Sequence, residues 1–267
     1  MQTNVVDVAA LAQAKSEAVQ TYMMHHVMDS RTWAWLPHVH MDLPFHLTVT
    51  GVMVMFTALL LMILLGLAGR RKPGDVPTGF ANAVEFFAKY IRDEMVIPFL
   101  GETDGRKMAP MFCTFFFFVL GMNLLGLIPC FYSATANLGV TGALALITLG
   151  FMIFGAIWKN GIIAFCKGFA PPGIPKVMIP MIATIEVISL FIRAMALAIR
   201  LFANMLAGHL VIYSLLGMVV MFGAIALPAV AGALGIYLLE VFVAFLQAYI
   251  FTLLSAIFIG ERYHPAH

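Results

Sequence analysis

The sequence predicts an all-α membrane protein: about five membrane-embedded helices plus a surface amphipathic helix, the last two spans long, strongly tilted and antiparallel. Three observations predict it. Of the 267 residues, 62% are hydrophobic and 10% charged, and mean hydropathy is +0.98. Soluble domains run near ~45–50% apolar and ~25% charged. The apolar residues collect into runs of about twenty or more, the length that crosses a hydrocarbon core of roughly 30 Å. The basic clusters Arg70-Arg71-Lys72, Arg106-Lys107 and Lys159 all fall on one side when the runs are laid across a membrane in order.

Composition also excludes some functions. No Gly-x-x-x-x-Gly-Lys-Ser/Thr phosphate cradle occurs, so nucleotide binding is not expected of this chain. Cys113, Cys130 and Cys166 lack metal spacing, and two of them, within or at the edge of apolar runs, read as packed thiols, with neither a disulfide nor a metal site implied. No compact apolar stretch follows a basic start, and Asp7 and Glu17 come early, so neither a cleavable signal nor a transit peptide is expected.

Residues 1–46 are expected as an outer, periplasmic segment and 47–267 as the membrane domain. Val5–Val27 carries a helical pattern, and Trp33 and Trp35 suit the headgroup level. His25, His26, His38, His40 and His46 lack the accompanying ligands of a metal centre. The first span covers 47–68 and ends at Arg70-Arg71-Lys72, which places that end in the cytoplasm and the N-terminus outside. Pro73–Gly79 reads as a linker. Residues 80–100 are too charged to span; Phe86, Tyr90 and Ile97 at helical spacing make a cytoplasmic surface helix. Gly101–Lys107 reads as a polar loop. Residues 109–129 span outward, Pro129–Leu138 is an uncharged outer loop, and 138–159 return, with Gly142, Gly150 and Gly155 thinning that helix for close packing. Gly161–Lys176 is a cytoplasmic loop.

The runs 177–218 and 219–261 are each about twice as long as the hydrocarbon core requires. Pro180 and Pro228 lie near run ends and break neither in the middle. Two tilted antiparallel helices, joined near Gly217–Gly223, with the C-terminus in the cytoplasm, are expected.

These two helices carry the polar residues that demand a reason. Glu186, Arg193 and Arg200 recur at seven-residue spacing and form one stripe. Arg200 matters most, because arginine stays protonated in proteins and a charge at bilayer depth costs roughly 2.5 to over 10 kcal/mol. Glu240 and Gln247 share the same spacing in the second helix. Facing residues of an antiparallel hairpin have nearly constant index sums. Pairing Arg200 with Gln247 and His209 with Glu240 puts both turn centres at about 224. Ala196, Ala203 and Ala207 flank Arg200 as a small-residue seam, through which a carboxylate-bearing helix could approach. Ionisable groups on both sides of Arg200 suggest two aqueous half-pathways that the cation keeps apart. Blander roles are open for the others: Glu186 could pair with Arg193 on its own helix, His209 could be a hydrogen-bonded core histidine, and Asn204 and Gln247 could be interhelical glue.

The stretch Arg200-Leu-Phe-Ala-Asn204-Met-Leu-Ala207-Gly208, followed by Glu240 and Gln247-Ala-Tyr-Ile-Phe251, resembles subunit a of F-type ATP synthases. The motifs are specific over the last ninety or so residues, and the topology matches from about residue 40. The resemblance implies a non-catalytic, proton-translocating stator subunit in the Fo sector. Its implied partners are the c-subunit ring, b-type peripheral stalk subunits and the rest of the F1Fo complex, with protons and lipid but no nucleic acid and no cofactor. It implies that Arg200 faces a ring carboxylate, that Gln247 and Asn204 lie near it, and that Glu186 belongs to the cytoplasmic half-channel. It also implies that His209 and Glu240 form the outer half-channel pair. Many bacterial members carry that pair the other way round; the order here, like the extra Arg193, is the one familiar from mitochondria. The implied site is a bacterial plasma (inner) membrane, the mitochondrial inner membrane being the alternative. Two other classes remain in view. A haem-carrying redox subunit needs facing histidines, and a secondary ion transporter usually shows internal repeats, which this chain lacks.

Overall fold

The computed structural model describes residues 13–14, 17, 32–36, 39–42, 48–69, 79–128, 131–169, 175 and 177–264. Most of the Val5–Val27 expectation, the histidines His25, His26, His38 and His46, the side chains of Trp33, Trp35 and His40, and the Arg70-Arg71-Lys72 cluster lie outside the described residues.

Two short strands, β1 (Thr32–Leu36) and β2 (Val39–Asp42), pair antiparallel with an irregularity between Ala34 and Leu36. The sequence reading has no strand there. The signal was present in the β-branched and aromatic run Thr-Trp-Ala-Trp, separated by two residues from a second short run.

The remaining elements are helical. Helix α1 covers Val49–Gly69, with Thr48 as its N-cap: the hydroxyl accepts the Gly51 N–H at 3.2 Å. Helix α2 (Phe80–Tyr90) runs through a π turn at Ile91–Val96 into α3 (Ile97–Leu127). Here the structure corrects one expectation. The polar stretch after Gly101 is helix, not loop, with Glu102 and Arg106 paired at 2.7 Å one turn apart. Helical geometry breaks only at Gly101, whose φ of 77° and ψ of 170° suit glycine alone. The face that packs is Ile91, Met95, Val96 and Leu100, whereas Phe86 and Tyr90 are exposed.

Helix α4 (Leu138–Gly150), a π turn at Phe151–Gly155 and helix α5 (Ala156–Asn160) form one helical run. It ends at Gly161, with φ 80°, and the short α6 (Ile162–Lys167) follows. Of the three glycines expected to allow close packing, only Gly155 does so. A Cβ there would strike the Tyr263 ring and hydroxyl, whereas at Gly142 and Gly150 it would meet nothing within 4 Å.

Helix α7 (Ile179–Phe222) has 44 residues and α8 (Leu227–Tyr263) has 37, joined by a 3₁₀ turn at Gly223–Ala226. By rise alone they measure about 66 and 56 Å, roughly twice a hydrocarbon core. The turn falls where the pairing register places it, a few residues beyond the expected 218/219 boundary. Gly223 supplies its positive φ of 62°. Pro228 falls in the first turn of α8, where an amide N–H has no intrahelical acceptor to lose. Among the described residues, five helical runs are long and apolar enough to cross a membrane: 49–69, 80–127, 138–160, 179–222 and 227–263.

The chain forms two compact units. The first comprises residues 1–57, 122–137 and 202–245. Val49, Met53, Met122, Leu127, Met205, Ala233 and Ala244 are buried within it, and Phe56 lies 5.8 Å from Phe131, ring centre to ring centre. The second comprises 58–121, 138–201 and 246–267. Its core includes Phe112, Val119, Met152, Leu190, Leu197, Phe251 and Ile259. Within it Thr148 and Ser255 hydroxyls meet at 3.3 Å, while Phe115 packs edge-on against Phe251.

Gly101→Ala should destabilise the protein by about 1–3 kcal/mol, since a Cβ is strained at that backbone conformation. Gly142→Ala, in a helix with open space beside it, should be neutral or mildly stabilising. Thermal unfolding of the two variants in detergent compares them, and equal midpoints would contradict the assignment of strain to Gly101.

Candidate functional site

In the first unit, α7 and α8 bring His209 and Glu240 together, with His209 Nδ1 3.5 Å from Glu240 Oε1. Glu240 is 3% exposed. The small residue before the histidine explains how a carboxyl fits there. A Cβ on Gly208 would occupy the space of the Glu240 carboxyl group, so glycine lets the acid lie against the backbone of α7. Tyr213, one turn beyond His209, brings its ring to 6.1 Å from the imidazole.

This unit also holds buried polar atoms without hydrogen-bond partners among the described residues: both Glu240 carboxyl oxygens, Asn204 Nδ2 and Asn123 Oδ1. Asn123 is fully buried and donates from Nδ2 to the Ala244 carbonyl at 3.4 Å, one turn beyond Glu240. The sequence reading missed it. The available signal was a single amide in the Phe-rich run of α3, where it has no reason to be unless it meets polar atoms or water. Unpaired buried polar groups cost about 1–3 kcal/mol each unless water reaches them.

In the second unit, Arg200 is exposed and makes no hydrogen bond or ion pair among the described residues. Gln247 is 8% exposed, and no hydrogen bond joins it to Arg200. Ala196, at −4 from Arg200 along α7, is exposed as well, and Ala203 and Ala207, at +3 and +7 in sequence, are exposed within the first unit.

Glu186 and Arg193 are placed differently from the intrahelical pairing that the sequence allowed. Glu186 pairs with Arg262, and Arg193 with Glu261, so adjacent residues near the end of α8 tie down both. The Glu186–Arg262 partnership obeys the register that sets Arg200 opposite Gln247. Arg262 is 8% exposed and lies over the Phe169 ring at 5.1 Å, while Arg193 lies over Phe258 at 5.4 Å. Asn160 Nδ2 donates to the carbonyls of Arg262 at 3.3 Å and Tyr263 at 3.2 Å, capping α8. Lys159 pairs with Asp104. His264 Nε2 lies 2.8 Å from the Leu100 carbonyl and 3.3 Å from Lys159 Nζ. The sequence reading gave Glu261 and Arg262 no partners. Nothing in their immediate sequence names partners some seventy residues away. Among the described residues, no three His, Cys, Asp or Glu side chains gather as metal ligands.

Helices long enough to cross a membrane, with Arg200, His209 and Glu240 well inside α7 and α8, define a polytopic membrane protein that carries ionisable groups within its apolar helices. The family described as ATP synthase A chain matches residues 51–260. The ATP synthase subunit a of Myxococcus xanthus strain DK1622 is 43% identical over 229 residues, 84% of this chain and 75% of that one. That of Chloroherpeton thalassium is 41% identical over 254 residues, 89% and 75% of the two chains. That of Anaeromyxobacter dehalogenans strain 2CP-C is 43% identical over 214 residues, 78% of this chain but 55% of its own length. The present chain therefore spans little more than half of that relative. It belongs to the ATP synthase A chain family. With bacterial relatives and five membrane-capable helices, it is a bacterial membrane protein.

Gly208→Ala should push the Glu240 carboxyl away from His209 and destabilise the protein by about 1–3 kcal/mol, read by thermal unfolding in detergent. Adding Glu240→Asp, a shorter acid, should restore part of the loss; no rescue would argue against steric displacement. For the second unit, a double-mutant cycle on Glu186→Gln and Arg262→Gln should return a coupling energy of about 1 kcal/mol in unfolding experiments. Strict additivity would remove the ion pair from the folded protein.

Proposed function

We propose that this chain is the proton-translocating stator subunit of the Fo motor, with Arg200 facing a carboxylate on a ring of c subunits and two offset half-channels serving that carboxylate. The observation that carries this is Arg200 itself: a permanent cation, exposed in an alanine stripe of an otherwise apolar helix, without an anion among the described residues. A cation in such a setting is stable only if another chain or water supplies the counter-charge. Alanines at −4, +3 and +7 admit a second helix closely enough for that contact.

The outer half-channel runs by His209 and Glu240. Their proximity supports a proton hand-over, and the partnerless atoms of Glu240, Asn204 and Asn123 supply hydrogen-bonding positions for water along it. A proton entering there neutralises a ring carboxylate. As a neutral carboxyl the site can rotate into lipid, which the ionised form cannot do without large cost. After nearly a full turn it reaches the cytoplasmic half-channel by Glu186 and loses its proton. The resulting anion is drawn to Arg200, with Gln247 and Asn204 close by. The cation blocks direct leakage between the half-channels and stops a protonated site from slipping past. Each charge crossing 100 mV contributes about 2.3 kcal/mol, so several protons are needed per nucleotide made elsewhere in the complex.

The position of Arg193, paired with Glu261, gives it a bracing role beside this path. The subunit has no catalytic site of its own and works with the c ring, b-type stalk subunits and the remainder of F1Fo. Placement in the bacterial inner membrane with the N-terminus outside and the C-terminus in the cytoplasm follows the basic clusters. The redox alternative is disfavoured by geometry, because His209 faces a glutamate and not a second histidine. Co-purification with a small carboxylate-bearing hairpin subunit separates the motor from both a redox subunit and a secondary transporter.

Arg200→Ala should abolish ATP-driven proton pumping, measured by fluorescence quenching in inverted vesicles, with normal amounts of the subunit in the membrane. Glu240→Gln should slow pumping less completely. Wild-type pumping by the arginine variant would overturn the central role given to Arg200.

A further inference from the structure

A groove of about 670 Å³ opens in the second unit between α3 and the α4–α5 run, a volume within the range of small-molecule sites. Its long wall follows one face of the α4–α5 run through Ile147, Phe151, Phe154 and Trp158. From Ile147 to Trp158 the helix rises about 16 Å, close to half of a ~30 Å hydrocarbon core. The groove exists because bulk is missing: Gly150 lines it, and a Cβ there would meet only open space. The π turn at Phe151–Gly155 adds a residue to the helical circumference at the same level, a distortion that recurs at functional sites.

The polar lining comes from Asp104, Lys107, Lys159 and Tyr263. Asp104 is taken up by Lys159 and lies 3.9 Å from His264 Nε2. Lys107, one turn along α3 from Asp104, makes no ion pair or hydrogen bond among the described residues. Two lysines against one aspartate leave one positive charge in excess. Trp158 is 94% exposed and Phe154 74% exposed at this position. An indole next to a lysine at the end of a span is the arrangement of a membrane–water interface.

We propose that this groove binds an anionic glycerophospholipid, with one acyl chain along Ile147, Phe151 and Phe154 and its phosphate held by Lys107 beside Lys159. An apolar wall one leaflet long, ending in excess positive charge and an interfacial indole, matches the two halves of that amphiphile. Bulk zwitterionic lipid satisfies the wall but not Lys107. The site goes beyond the proton path, since none of its residues belongs to that path.

The test uses the assembled complex reconstituted into nanodiscs of phosphatidylglycerol and phosphatidylcholine with matched chains, followed by native mass spectrometry of the retained lipid. Wild type should retain phosphatidylglycerol in preference to phosphatidylcholine. Lys107→Gln, a change at an exposed position that leaves packing alone, should lower the phosphatidylglycerol excess about fivefold. Gly150→Leu should fill the groove and abolish the excess, with ATP-driven pumping still measurable in both variants. Equal retention of the two lipids by wild type, or an excess unchanged in both variants, would overturn the proposal. A photo-crosslinker in place of Trp158 gives an independent readout: attachment to phosphatidylglycerol supports the site, and attachment to another protein subunit overturns it.

Discussion

The guanidinium of Arg200, in an apolar stretch of α7 and with no anion to neutralise it among the described residues, is the constraint on which the rest depends. Desolvating a charge costs several kcal/mol, so the residues around Arg200 must leave room for a counter-charge or for water. The exposed alanines of α7 provide that room. The cheaper solution, an acid on the neighbouring helix turned inward to meet Arg200, is not the one adopted among the described residues. The acids of the hairpin are committed elsewhere: Glu240 beside His209, Glu261 to Arg193, and Glu186 to Arg262. The partnerless cation is thus a consequence of how every other charge in the two long helices is paired.

The two units handle polarity in opposite ways. In the first, buried polar atoms are left without partners, at Glu240, Asn204 and Asn123. An apolar interior penalises such atoms, and a wetted interior does not. In the second, charges near the end of α8 are matched one to one, with Phe169 and Phe258 beneath the guanidiniums and Asn160 closing the helix end. Holding two very long helices in register needs construction of the second kind.

The pairing arithmetic of the hairpin was legible because an antiparallel register is one-dimensional. Once the turn is located, each residue has one opposite neighbour, and His209 with Glu240 follows. The surface stretch after Gly101 was not legible in the same way. Its charges at Glu102, Asp104, Arg106 and Lys107 fit a loop or a solvated helix equally well, and the choice lay in packing. The three glycines of the α4–α5 run illustrate the same limit. Glycine marks a position without bulk, but whether a neighbour fills the gap, as Tyr263 does at Gly155, or leaves it open, as at Gly150, depends on a distant segment.

By itself the sequence determined the membrane class, the number and order of the spanning helices, the hairpin register and the residues whose charge demands a reason. All of these follow from local periodicity and from the cost of polar groups in hydrocarbon. Only the tertiary structure decided which charges are neutralised and which are not. It assigned Glu186 to Arg262, left Arg200 and Lys107 without ion-pair partners among the described residues, and used the gap at Gly208 to seat Glu240. Those outcomes depend on distances of a few ångströms between residues some seventy positions apart or on different helices, and Coulomb and steric energies change steeply over such distances.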